Sequence, residues 1–146
     1  MVRKWIKAAK LTPHRSGRIV FSPPGSGKTW HVDNSTKKRW VEDDWFLDGF
    51  LHFHPPPPTA NRKSHYQECD RYLQAMRDEG LWVAAVLHWD FVPDAAVFLP
   101  IDRHRQLVGK RPDLEWPAVR AIRDRMIKAC KAAGVPIYTS WDDVID

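Results

Sequence analysis

The chain has 146 residues, 43% of them hydrophobic and 28% charged, which is ordinary for one folded domain that buries most of its apolar side chains. No apolar run approaches the roughly 20 residues that cross a bilayer, and two distant cysteines, Cys69 and Cys130, exclude a disulfide framework. The formal net charge of +5 favours polyanionic partners such as nucleotides or nucleic acid, although an averagely basic surface gives the same figure.

The first 32 residues hold no Asp or Glu, and Arg3, Lys4, Lys7 and Lys10 crowd the start. A transit peptide has such a composition. The first core strand, however, is expected near Arg18, so residues 1–17 read as a basic N-terminal strand or arm of a single domain over 1–146. Arg18 to Ser22 is a short β-branched apolar run that leads into Pro-Pro-Gly, a buried strand ending in a loop. A short helix is expected from about Lys28 to Lys38, limited by the poor formers Asn34, Ser35 and Thr36. Arg39 to Glu42 reads as a second strand that runs into Asp43-Asp44. The prolines Pro55 to Pro58 give an exposed polyproline-type stretch, because they neither continue a helix nor donate to a central sheet.

Ser64 to Glu79 is helical, with Tyr66, Cys69, Tyr72, Leu73 and Met76 on one face and Gly80 as its cap. Trp82 to Leu87 and Ala95 to Leu99 read as strands buried on both faces. Ala118 to Ala133 is a second amphipathic helix, and Ile137 to Thr139 the last strand. Alternating strands and helices predict a mostly parallel α/β sheet. Only about seven residues separate Leu87 from Ala95, fewer than the dozen of a usual parallel crossover, so one irregular or antiparallel strand is expected.

The stretch Ser22-Pro23-Pro24-Gly25-Ser26-Gly27-Lys28-Thr29 follows the pattern GxxxxGK[ST], with Ser22 in place of the first glycine. In that pattern (Walker A) backbone N–H groups wrap a phosphate and glycines stand where a side chain would block the approach. Lys28 supplies a point charge for the β- and γ-phosphates and Thr29 a hydroxyl for Mg²⁺. The alternative is a chance glycine-lysine turn, against which the preceding strand and following helix both argue.

Pro24 to Trp30, followed after a short helix by Asp43-Asp44, resembles the P-loop kinases of the polynucleotide kinase and nucleoside-monophosphate kinase type; the phage polynucleotide 5′-kinases share both features. The resemblance extends from about Arg18 to Trp141, and only the loop is specific. It implies a P-loop NTPase-type three-layer sandwich that binds ATP and Mg²⁺ through Pro24, Gly25, Ser26, Gly27, Lys28 and Thr29. It also implies transfer of the γ-phosphate to a nucleotide or nucleic-acid 5′ end. Asp43 would be the base, with Asp44 orienting it, contacting the acceptor or exchanging roles with it; a pair of turn carboxylates is the competing reading. In polynucleotide kinases an Arg soon follows the acidic pair, whereas Trp45 and Phe46 stand here.

Asp90, after the apolar run 82–87, suits the Walker B role of holding Mg²⁺ through water, or is a turn residue. Arg103, Arg105, Lys110 and Arg111 match the family's lid, in which guanidinium groups close on the phosphates and neutralise developing charge. Arg105 and Arg111 are the catalytic candidates there, and a solvated basic helix face is the alternative. His52, His54, His65 and His88 lack the spacing of a zinc site. Trp45 stands near Asp43 and is a candidate to stack on a base, while the other tryptophans read as core. The expected protein is therefore a monomeric or small homo-oligomeric kinase without membrane attachment, in a reducing cytoplasmic compartment, of a kind often viral. A kinase of another small metabolite, or a nucleotide-dependent binding protein of the same fold, remains the alternative.

Overall fold

A computed structural model describes residues 2–35, 39–42, 62–86 and 91–144, with the backbone alone for 62–66. The helices are α1 (Val2–Ala8), α2 (Lys28–Asp33), α3 (Arg62–Asp78), α4 (Ile101–Gly109) and α5 (Trp116–Ala133). The strands are β1 (Arg18–Phe21), β2 (Trp40–Glu42), β3 (Trp82–Ala85), β4 (Ala95–Val97) and β5 (Ile137–Tyr138), and a 3₁₀ turn spans Trp141–Asp143. The strands form one sheet in the order β2-β3-β1-β4-β5, and every neighbouring pair is parallel. The chain is an α/β domain. No helix among the described residues is long and apolar enough to cross a membrane.

Period-two alternation sorts the strand residues between two cores. Ile19, Phe21, Val41, Val83, Ala85 and Ala96 face one side, where Val2 of α1, Leu73 and Met76 of α3 and Met126 and Cys130 of α5 cover them. Val20, Trp40, Trp82, Ala84, Ala95 and Val97 face the other, against Val32 of α2 and the C-terminal Trp141 and Val144. The basic N-terminal segment is thus helical over Val2–Ala8 and places Val2 in the core. Helix α5 ends at Gly134, whose left-handed φ of 70° lets the chain turn back into β5.

Of the irregular or antiparallel strand expected near Ala95, no antiparallel one is present among the described residues. β3 and β4 run parallel with β1 between them, joined by residues 86–94. Strand length is the physical reason. A four-residue strand rises only about 13 Å, so nine residues, with a reach of about 30 Å when extended, are long enough to return along it. The far end of this link is stapled to the scaffold. The Asp94 carboxylate accepts from the Ile19 N–H (2.7 Å) and from Arg77 Nε (3.0 Å), and Arg77 also donates to the Val92 carbonyl (3.1 Å) and covers the Phe91 ring.

Gly17 fits where no other residue does. A Cβ there would stand 2.0 Å from the backbone carbonyl oxygen of Arg77, at the end of α3, and neither chain can yield cheaply. A Cβ on Gly134 would meet nothing within 4 Å and carry only the left-handed strain. Gly17→Ala is therefore expected to destabilise by about 2–3 kcal/mol and Gly134→Ala by about 1 kcal/mol, read from urea midpoints. Equal losses would contradict this packing.

Candidate functional site

The segment Ser22–Gly27 leaves the carboxyl end of β1, in the middle of the sheet, and turns directly into α2. Gly25 and Gly27 have φ of 74° and 73°, the left-handed region that glycine alone enters without strain. At Gly25 a side chain is excluded twice, since a Cβ would also meet Val108 Cγ2 of α4 at 2.6 Å. Ser22, the departure from the glycine pattern, is fully buried, and its hydroxyl donates to the Val97 carbonyl across the β1–β4 ladder (2.8 Å). The hydroxyl thus fastens the start of the loop to β4.

Three donors hold the loop's carbonyls away from the cleft. The Ser26 hydroxyl donates to the Pro23 carbonyl (2.6 Å), His104 Nε2 to the Pro24 carbonyl (2.8 Å) and the Trp141 indole N–H to the Ser26 carbonyl (3.0 Å). In a trans peptide the C=O and the next N–H point in opposite directions. Drawing back the carbonyls of Pro24 and Ser26 therefore turns the N–H groups of Gly25 and Gly27 the other way, as a bound anion requires.

The His104 tautomer follows from its partners. Arg123 has no acceptor, so its N–H must donate to His104 Nδ1 (3.1 Å), which leaves the proton on Nε2. Arg123 is itself buried on α5 and also donates to the Leu99 carbonyl (2.8 Å). Burial pushes the His104 pKa below its usual 6.5; the bond to Pro24 opposes this and the Arg123 charge adds to it. A second proton would have to sit on Nδ1, facing the guanidinium. His104 is accordingly a neutral donor.

Beside the loop lies a cleft of about 430 Å³, lined by residues 23–30 together with Glu42, Val86, Leu107, Lys110 and Arg111. Glu42 closes it from β2. Its carboxylate accepts from the Thr29 hydroxyl at 2.7 Å and stands 3.8 Å from Lys28 Nζ, and its side chain is only 5% exposed. A neighbouring cleft of about 360 Å³ shares Ser26, Gly27, Trp30 and Leu107 and is completed by residues including Arg103, Trp141 and Asp142. Trp30 is 70% exposed where the two clefts meet, and its neighbour His31 stacks on Trp141 at 5.2 Å.

Of the residues expected from the sequence, Pro24, Gly25, Ser26, Gly27, Lys28 and Thr29 come together in the first cleft, with Lys110 and Arg111 at its wall. Residues 101–109 form α4, with Arg103 and Arg105 exposed on it. Arg103 lines the second cleft, while Arg105 lines neither. Arg111 is engaged by Asp113 through two bonds (2.6 and 3.1 Å), which hold the Asp113 carboxyl below its usual range. Asp43, Asp44, Trp45, the prolines 55–58, His52, His54, His88 and Asp90 lie outside the described residues, as does the His65 side chain.

Sequence reasoning passed over Glu42, His104, Arg123 and Trp141. Among the described residues no three His, Cys, Asp or Glu side chains gather as metal ligands. The Thr29 hydroxyl and Glu42 carboxylate are nevertheless hard oxygen groups of the kind that suit Mg²⁺ held chiefly by phosphate oxygens and water. Compared with known proteins, the chain matches no family model and no curated protein.

Because the folded-state pKa of His104 lies below 6.5, the unfolded chain binds more protons between the two values. Its contribution to stability is complete above about pH 6.5 and is lost as the pH falls from there toward the folded pKa. His31, lowered mainly by burial, acts with the same sign. Urea midpoints at about pH 7.5 and 5.5 should fall for the wild type, and His104→Gln should lose about 1–2 kcal/mol at the higher pH but show a shallower fall. An unchanged slope would remove His104 as the titrating group.

Proposed function

We propose that the chain is an ATP-dependent phosphotransferase of the P-loop kinase type, with a nucleotide or nucleic-acid 5′ end as acceptor. One observation carries the reading. A loop with two left-handed glycines leaves the central strand of a parallel sheet and delivers Lys28 and Thr29 to one cleft at the carboxyl edge, where ligands of open α/β sheets bind. The strand order β2-β3-β1-β4-β5 fits the P-loop kinase topology that the sequence resembles.

In this reading Gly25 and Gly27 offer N–H groups to the phosphates and Lys28 neutralises them. Thr29 would hold the Mg²⁺ that accompanies ATP, an ion whose charge offsets that of the phosphates. Lys110 and Arg111, at the wall of the cleft, add positive charge. Asp43 follows Glu42 directly and keeps its proposed part as base for the acceptor, and Asp90 its proposed part in the Mg²⁺ water shell. The exposed Trp30 and the net charge of +5 favour an acceptor with a stacking base and phosphates. A second reading, an ATP-binding protein without transfer, is favoured by Arg105 lining neither cleft and by Arg111 being paired with Asp113.

Labelled ATP incubated with nucleosides, nucleotides and 5′-hydroxyl oligonucleotides separates these readings. Transfer to one acceptor class is expected, reduced on the order of 100-fold or more by Lys28→Ala and by Asp43→Asn. ATP binding without transfer to any acceptor would favour the second reading. Full activity in Asp43→Asn alone would displace only the base.

A further inference from the structure

The one carboxylate lining the first cleft among the described residues is Glu42, and its placement is unusual. Alternation along β2 sends Trp40 and Glu42 to the α2 side of the sheet and Val41 to the other. β3 lies between β2 and β1, and opposite Glu42 it presents Ala84. Ala84 faces the same side, so only a methyl group stands beneath the path from Glu42 to the first turn of α2. Beyond it stand Ala85, the last residue of β3, and Val86, neither of which supplies a carboxylate at this level. The carboxylate is buried and held by Thr29 and Lys28. A buried anion is retained only where its partners compensate it.

A hydroxyl has one hydrogen to donate and two lone pairs. The Thr29 hydrogen goes to Glu42, so both lone pairs face elsewhere, free to meet a cation. We propose that Glu42 is a positioning residue for the divalent cation of the bound nucleotide, acting through the Thr29 hydroxyl. The inference rests on the P-loop reading above and deepens it. Glu42 does not serve as base for the acceptor in this arrangement, because its carboxylate is directed to Thr29 and Lys28 and is nearly closed to solvent.

ATP binding by calorimetry, across a Mg²⁺ titration and again in EDTA, tests this. Glu42→Gln should raise the Mg²⁺ needed for half-maximal tightening about 10- to 100-fold, the usual effect of losing a partner of a metal ligand. Its ATP affinity in EDTA should stay unchanged or tighten. Thr29→Val should show the same defect, and adding Glu42→Gln to it should change nothing further. Should Glu42→Gln not fold, Glu42→Asp, which keeps the charge but falls short of Thr29, is expected to raise the Mg²⁺ requirement in the same way. An unchanged Mg²⁺ requirement, equal weakening in EDTA, or additive losses in the double variant would overturn the positioning role while leaving ATP binding intact. Wild-type protein that binds no ATP in either condition would overturn the P-loop reading, and this inference with it.

Discussion

The site depends on loop carbonyls being drawn back into the scaffold by two ring N–H groups, His104 on α4 and Trp141 in the last turn. Without them the Pro24 and Ser26 carbonyls would be free to rotate toward the cleft, where a phosphate would meet oxygens instead of N–H donors. Each donor is fixed from behind. Arg123 on α5 locks the His104 tautomer, and His31 stacks on Trp141. The loop is therefore coupled to helices far away in sequence. The position of α5 bears on how the loop is held, through Arg123 and His104.

Sheet geometry explains why these parts converge. β1 is central and carries the loop, β4 receives the Ser22 hydroxyl, and β2 brings Glu42 over Ala84 to Thr29. Short strands make this possible in a small domain. They allow the nine-residue link 86–94 to return from β3 to β4 past β1, with Arg77 and Asp94 closing its end. The same economy removes slack, because at Gly17 two backbones approach too closely for a Cβ.

Much of the fold was legible in the sequence. The buried strands beginning at Arg18, Trp82 and Ala95, and the long helices α3 and α5, announce themselves through apolar runs, helical spacing and glycine stops. The short link to β4 suggests an irregular or antiparallel strand only because usual crossover lengths belong to strands longer than the three and four residues found here. Helix α4 was hidden by its charges, although His104 and Val108 stand one turn apart and both are buried. Arg123 occupies a core position in the series Val119, Arg123, Met126, Cys130. An arginine there is the signal of a buried partner. Glu42 was overshadowed by Asp43-Asp44, yet its parity with Trp40 already placed it on the α2 side. Trp141 gave no local sign, since its role is a contact made 115 residues away.

The charges around the cleft are of two kinds, and the difference bears on how an anion would be received. Lys28 and Glu42 are nearly buried and constrain one another, so a phosphate that draws Lys28 must leave the carboxylate compensated by something else. Thr29, and under the proposed reading a cation held beside it, would be the compensation within reach. Arg111, which lines the cleft, and its partner Asp113 are exposed, and exposed pairs are weakly held in water. Arg111 can leave its partner at little cost. Under the proposed reading a phosphate that draws on the buried pair would thus call for a cation, whereas the exposed pair would place no such condition on it.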